Sequence, residues 1–320
     1  MQYKTLAPLH DLRLGHQTSF ALAEGTTLAP IPDWLRKDEF TLNDLSRLDR
    51  DELAACTHCL VCEYDVDEVA ELLIRRNLPY QAERAPDKTV RGASVDQIYL
   101  VNVAFWLERF AYVGFNLVFH ASESSQAVTI TEPPRRHDRF LYHANDEIHR
   151  RSLTADDLRS VQKLYLALSK IPRFSAPWTA FRAITAALQM QRNEIRHLLL
   201  WIALEALFGG NGGEIKYRLS QRLAFFTANS RAGARDLFEK AKRGYDARSK
   251  MAHGAWGPKT RNSDDAAVEL TGITEEFVRH AVIRLLQDDE TINKFCGSEA
   301  SRCAYLDHLP FAESIGAGPQ

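Results

Sequence analysis

The chain has 320 residues, of which 45% are hydrophobic and 26% charged, and a formal net charge of -2. Such a composition excludes a disordered or fibrous chain, and the length favours two cores over one. The charge excludes a globally basic nucleic-acid coat, so any nucleic-acid contact must come from a local patch.

The opening Met1-Gln-Tyr-Lys-Thr5 lacks the basic region, apolar core and small-residue cleavage site of a secretion signal. The most apolar run, Leu198 to Phe208, is about half of what a membrane span needs and is interrupted by Glu205. Five cysteines, an odd number without a disulfide-like framework, suit a reducing compartment. The expectation is a cytoplasmic protein that makes no membrane contact.

In chain order, residues 1–145 read as an α+β region. Short runs rich in β-branched and aromatic residues at Ser19–Ala23, Ala55–Cys62, Tyr112–Phe119 and Ala127–Thr131 predict strands. Helical spacing at Leu42–Ala54, Val66–Arg76 and Val95–Leu107 predicts helices between them. Glu132-Pro-Pro-Arg-Arg-His-Asp-Arg139 reads as a loop near a domain junction.

From there the character is helical, and residues 146–295 are assigned to an all-α bundle, with 296–320 as a tail. Thr154-Ala-Asp-Asp157 resembles an N-cap for a helix ending near Lys170. The second helix is expected over Trp178 to Phe208, closed by Gly209-Gly-Asn-Gly-Gly213. The third, Glu214 to Ala228, places Ile215, Leu219, Leu223 and Phe226 on one face. A fourth runs from Ala232 to His253 and stops at Gly254, as a C-terminal glycine cap requires. Thr274-Glu-Glu-Phe277 starts a fifth, lasting to about Asp289. The chain after Cys303 has little to anchor it and is expected to fray.

The fourth helix carries the chemistry. Ala234, Phe238, Ala241, Tyr245, Arg248 and Ala252 share one face, so Arg248 sits inside an apolar stripe. An arginine there needs a paired acid such as Glu205, a subunit partner or a solvated cleft. Five residues on, His253 precedes the capping glycine, where the negative end of the helix dipole favours an imidazolium. Between Asn211 and Arg261, twelve cations stand against four acids, a local balance of +8. That is a footprint suited to phosphates. Arg222, Lys242, Arg243 and Lys250 are the candidate RNA contacts, with Ser249 and Glu205 supporting Arg248 and His253; Glu205 reads more readily still as the structural partner of a buried cation such as Arg222.

The Arg248-(four residues)-His253 spacing at a helix end resembles the motif of HEPN domains. Leu204-Glu-Ala-Leu-Phe208, Glu214-Ile-Lys-Tyr-Arg-Leu-Ser-Gln-Arg-Leu-Ala-Phe-Phe226 and Tyr245-Asp-Ala-Arg-Ser-Lys-Met-Ala-His-Gly254 together resemble the Apea-like HEPN branch. The resemblance covers roughly Leu153 to Asp289. It implies a helical bundle that pairs into a homodimer, with two Arg-His motifs around one cleft. In that superfamily active members are metal-independent endoribonucleases, many in antiviral or abortive-infection defence, and others are inactive adaptors binding RNA, nucleotide or protein. In many active members the residue after the arginine is Asn, Asp or His, and Ser249 departs from that pattern. It can still donate and accept a hydrogen bond.

The groups themselves suit such a reaction. His253 can move a proton near neutral pH, and Arg248 can grip two phosphate oxygens of a five-coordinate transition state. Neither step calls for a cofactor. An offset of five residues is about 140° on an ideal helix, so helix-end distortion or a composite dimer site has to bring the pair together. The N-terminal region is then expected to be a sensor, a regulator or a target-recognition module, and a place where a protein or phage-derived trigger could act.

Cys56-Thr-His-Cys59-Leu-Val-Cys62 offers three thiols and His58, but zinc needs four well-placed donors. The alternation also suits a strand with buried thiols, and no metal site is expected there. Gly209 to Gly213 is not a phosphate loop, because it follows a helix and lacks the Lys-Ser/Thr ending.

Overall fold

The structure, a computed structural model, describes residues 2–14, 19–37, 45–65, 90–110, 113–115, 117–122, 128–131, 152–190, 192–210, 213–256 and 263–311. The helix expected at Val66–Arg76 and the loop at Glu132–Arg139 lie outside them. The chain divides into two compact units, Met1–Ser169 and Lys170–Gln320.

The N-terminal unit is α+β. Its strands are β1 (Gln2–Leu9), β2 (Phe20–Ala23), β3 (Thr26–Pro30), β4 (His58–Asp65), β5 (Val118–Ser122) and β6 (Val128–Thr131). They form one sheet in the order β2-β3-β4-β1-β5-β6, and every pairing is antiparallel. The helices are α1 (Asp33–Lys37), α2 (Arg47–Ala55), α3 (Val90–Leu107) and α4 (Ala155–Ser169). Two strands escape the sequence reading, β1 and β3. Both carry a proline, Pro8 and Pro30, which argues against a strand interior. Here Pro8 lies beyond the β5 pairing, which covers only Tyr3 to Leu6, and Pro30 closes β3. The strand expected at Tyr112–Phe119 begins only at Val118; before it, Gly114 bridges to His10.

Register decides what each face buries. Leu6 stands opposite Val61 on one side and Phe119 on the other, and these three pack with Leu35, Leu45, Leu53, Cys56 and Cys59 in one core. The alternate positions Thr5, Thr26 and Cys62 line up with each other and point to the other face. There Thr26 Oγ1 lies 3.4 Å from the Tyr165 hydroxyl of α4. Thr154 and Asp157 cap α4 reciprocally: the Thr154 hydroxyl accepts from Asp157 N–H at 3.2 Å, and the Asp157 carboxylate accepts from Thr154 N–H at 2.8 Å.

In the C-terminal unit every described element is helical: α5 (Ala176–Leu188), α6 (Asn193–Phe208), α7 (Ile215–Thr227), α8 (Arg231–Ala252), α9 (Ser263–Leu285), α10 (Asp289–Cys296) and α11 (Glu299–His308), then a 3-10 turn at Leu309–Phe311. The helix expected over Trp178 to Phe208 is two helices. Breaking at Gln189 lets α5 and α6 fold back and bury their apolar faces on each other. The fifth helix starts at Ser263, not Thr274. The Thr274 hydroxyl lies 2.8 Å from the Leu270 carbonyl one turn back, a mid-helix arrangement, so it caps nothing. Ile215 is exposed at the first turn of α7, whereas Leu219, Leu223 and Phe226 are buried as expected. The chain after Cys303 does not fray at once: Leu306 of α11 is fully buried and anchors it.

Helix α6 is the centre of this unit, packed on α5, α7, α8 and α9. Its Trp201 is fully buried and lies edge-on to Tyr245 of α8, ring centroids 5.5 Å apart. Close approach of the two helices depends on Gly244, where an added Cβ would fall 2.7 Å from Trp201 Cζ2. Gly244→Ala should therefore destabilise the protein by about 1–3 kcal/mol through overpacking, despite alanine's better helix propensity. Urea unfolding checks this, and a more stable variant would show that Trp201 yields at no cost.

His197 of α6 is fully buried between α8 and α9. The neutral ring with its hydrogen on Nε2 donates to the Gly244 carbonyl at 3.3 Å, and Nδ1 lies 3.2 Å from the Thr274 hydroxyl. Burial lowers its pKa from 6.5 to about 4. Because the folded value lies below the unfolded one, the unfolded chain binds the proton first. Stability is then full above about pH 6.5 and declines as pH falls towards 4. Urea midpoints measured from pH 7.5 to 4.5 should drop across that window, and His197→Gln should flatten the drop. A wild-type midpoint constant between pH 6.5 and 5 would contradict it.

Candidate functional site

Helix α8 begins at the Ser230 cap, whose hydroxyl accepts from Gly233 N–H at 3.1 Å. It ends in a paired glycine cap. Gly254 takes the left-handed conformation with φ +68°, its N–H donates to the Met251 carbonyl at 3.2 Å, and Ala255 N–H reaches back to the Lys250 carbonyl at 2.8 Å. That closure fixes His253 as the C-terminal cap, just after the last helical residue Ala252, and leaves its side chain in solvent.

Arg248 is less free. Its Nη2 lies 3.0 Å from Glu205 Oε1 and 3.2 Å from Oε2, both side chains about a quarter exposed. The guanidinium carbon sits 5.6 Å from the Tyr245 ring centroid, in cation-π range. Tyr245 closes the group: burial first, then the Glu205 carboxylate, push its hydroxyl pKa up. Arg248 thus has the acid partner the stripe demanded, and Glu205 serves Arg248 and not Arg222. The ion pair engages one end of the guanidinium; Nε is buried with no hydrogen-bond partner. Ser249 is half-buried, and its carbonyl accepts the His253 N–H at 3.1 Å.

The basic face is thinner than composition suggests. Lys216 pairs with Asp246 at 2.6 Å, Lys240 with Asp236 at 2.7 Å and Lys242 with Glu239 at 3.6 Å. The Lys242 ammonium also lies 5.0 Å from the Phe238 ring centroid. Arg243 and Lys250 are exposed, with no ion pair among the described residues. Lys259 and Arg261 lie outside those residues.

Arg222 is a correction. It is 3% exposed, its Nε and Nη2 hold both Asp307 carboxylate oxygens at 2.7 and 2.9 Å, and Nη1 donates to the Phe208 and Gly209 carbonyls at 3.0 and 3.2 Å. The fork clasps the open C-terminal end of α6 to α11 and leaves nothing to offer a phosphate. The pairing holds the Asp307 carboxyl below the usual carboxylate range. No sequence spacing signals an arginine that meets an acid eighty-five residues away.

The thiols do not assemble into one cluster. Cys59 and Cys62 stand three residues apart on β4, so they point to opposite faces of the sheet. Burial pushes both up to about 12. Among the described residues no group of three or more His, Cys, Asp or Glu side chains is placed to hold a metal ion. None of the described helices is long and apolar enough to cross a membrane.

Comparison with family models, curated proteins and solved structures finds no match to this chain.

Proposed function

We propose that the helical unit is a HEPN-type domain and that Arg248 and His253 form a metal-independent endoribonuclease site. The observation that carries this reading is the end of α8. A solvent-facing His253, fixed by the Gly254 closure, follows within six residues a guanidinium held at one nitrogen by Glu205. In the proposed reaction a 2′-hydroxyl attacks the adjacent phosphorus, forming the P–O2′ bond and breaking the P–O5′ bond. His253 of one protomer takes the 2′ proton, the same residue of a second protomer protonates the departing 5′ oxygen, and Arg248 neutralises the phosphoryl oxygens.

The two-proton step requires a homodimer through the helical unit. Ile195 and Ile202, two turns apart on one face of α6 and more than two-fifths exposed, supply apolar surface for it. Light scattering should give twice the chain mass of 36.3 kDa. A monomer at micromolar concentration would remove the composite site.

A second reading draws on a specific observation, the Glu205–Arg248 ion pair. If the arginine never leaves that carboxylate, the domain is a non-catalytic module binding RNA, nucleotide or a protein partner. Incubating the purified protein with single-stranded RNA in excess EDTA separates the two. Cleavage supports the nuclease, and RNA bound but intact supports the module.

A further inference from the structure

The N-terminal unit contains a second constellation of reactive groups, built from two separate segments. Cys56 follows α2 at the entry to β4, His10 follows the end of β1, and Glu52 lies one helical turn before Cys56. The register Leu9 to His58 brings the β1 exit beside the β4 entry, and the His10 N–H donating to the Gly114 carbonyl at 2.8 Å holds the backbone there. Cys56 Sγ lies 3.3 Å from His10 Nδ1, and His10 Nε2 lies 3.9 Å from Glu52 Oε2. With the neutral ring's hydrogen on Nε2, facing the carboxylate, Nδ1 is left to accept from the thiol. The carboxylate then supports the imidazolium that forms. The Arg36 guanidinium donates to the Cys56 carbonyl and so ties α1 to the same turn.

We propose that Cys56 is a nucleophilic thiol activated by His10 and Glu52, and that its co-reactant is a small peroxide. The thiol proton moves from Sγ to His10 Nδ1. The thiolate attacks one peroxide oxygen, an S–O bond forms and the O–O bond breaks. The departing hydroxide takes the proton back from the imidazolium and leaves as water. Sulfur is oxidised by two electrons to a sulfenic acid and the peroxide is reduced by the same two. Size selects the co-reactant: Cys56 is 3% exposed and packs with Leu45, Leu53, Leu117 and Phe119, so among the described residues no groove for an extended peptide or acyl chain leads to it. The neighbouring thiols lack this arrangement, and burial keeps Cys59 and Cys62 protonated. This site stands apart from the RNA reading, since all its residues lie in the N-terminal unit.

The test exposes the folded full chain briefly to dilute hydrogen peroxide, removes the peroxide with catalase, and then unfolds the chain in urea containing a cyclic 1,3-diketone, so that every sulfenic acid formed in the folded state is trapped and quantified by peptide mass spectrometry. Cys56 should be labelled faster than the more exposed Cys303, by on the order of tenfold, with Cys59 and Cys62 unlabelled. His10→Gln, with its melting temperature measured alongside, should lower the Cys56 rate by about tenfold. Glu52→Gln, at a site one-fifth exposed, should lower it by a smaller factor and decides the matter if the His10 variant does not fold. Labelling of Cys56 slower than Cys303, or a Cys56 rate unchanged in either folded variant, overturns the proposal.

Discussion

Arg222→Ala should destabilise the protein by about 3–5 kcal/mol, the range for breaking a buried, hydrogen-bonded charge pair. The variant removes four hydrogen bonds at one point, two donated to the Asp307 carboxylate and one each to the Phe208 and Gly209 carbonyls. Those carbonyls sit where α6 has no further N–H to offer, so they lose a partner that the helix itself does not replace. The half-exposed Asp307 recovers water, which places the loss towards the lower end of the range. Arg222→Lys should recover only part of the stability, because one ammonium cannot span two carboxylate oxygens and two carbonyls. Urea unfolding of the three proteins is the measurement. An Arg222→Ala protein as stable as wild type but weakened in RNA binding would return this residue to the RNA-contacting face.

His253→Ala should lower the rate of RNA cleavage by about a hundredfold or more while leaving RNA affinity and melting temperature close to wild type. The side chain is in solvent at the helix end, so its removal creates no cavity and forfeits only a modest dipole interaction. Arg248→Ala should abolish turnover as well, but it also strips Glu205 of its counter-charge, so loss of activity there is read together with unfolding data. Products should carry a 2′,3′-cyclic phosphate, and cleavage should stop when the 2′-hydroxyl at the scissile position is replaced by hydrogen. Equal cleavage by wild type and His253→Ala, or metal-dependent cleavage of DNA and RNA alike, would defeat the mechanism. RNA binding retained by both variants with no cleavage by any of the three would favour the non-catalytic module.

Local chemistry determined a good part of this molecule. The Gly254 stop, the Thr154–Asp157 cap and the helical spacing of α8 are written in adjacent residues, because a helix end is satisfied by its own neighbours. The α+β character of the first region and the helical character of the second follow from hydrophobic period in the same way. The apolar stripe also announced that Arg248 needs a partner, and Glu205 was among the acids at hand. What only the tertiary structure decided is every feature set by long-range packing. Whether Trp178 to Phe208 runs straight or folds back depends on which surface covers each half. Arg222 looks like one cation among twelve until Asp307 meets it. The three cysteines read as one cluster in the sequence, yet strand alternation puts Cys59 and Cys62 on opposite faces, and β-pairing brings Cys56 to a histidine forty-six residues away. A strand's partners and a buried charge's counter-ion come from distant chain, and no local spacing specifies them.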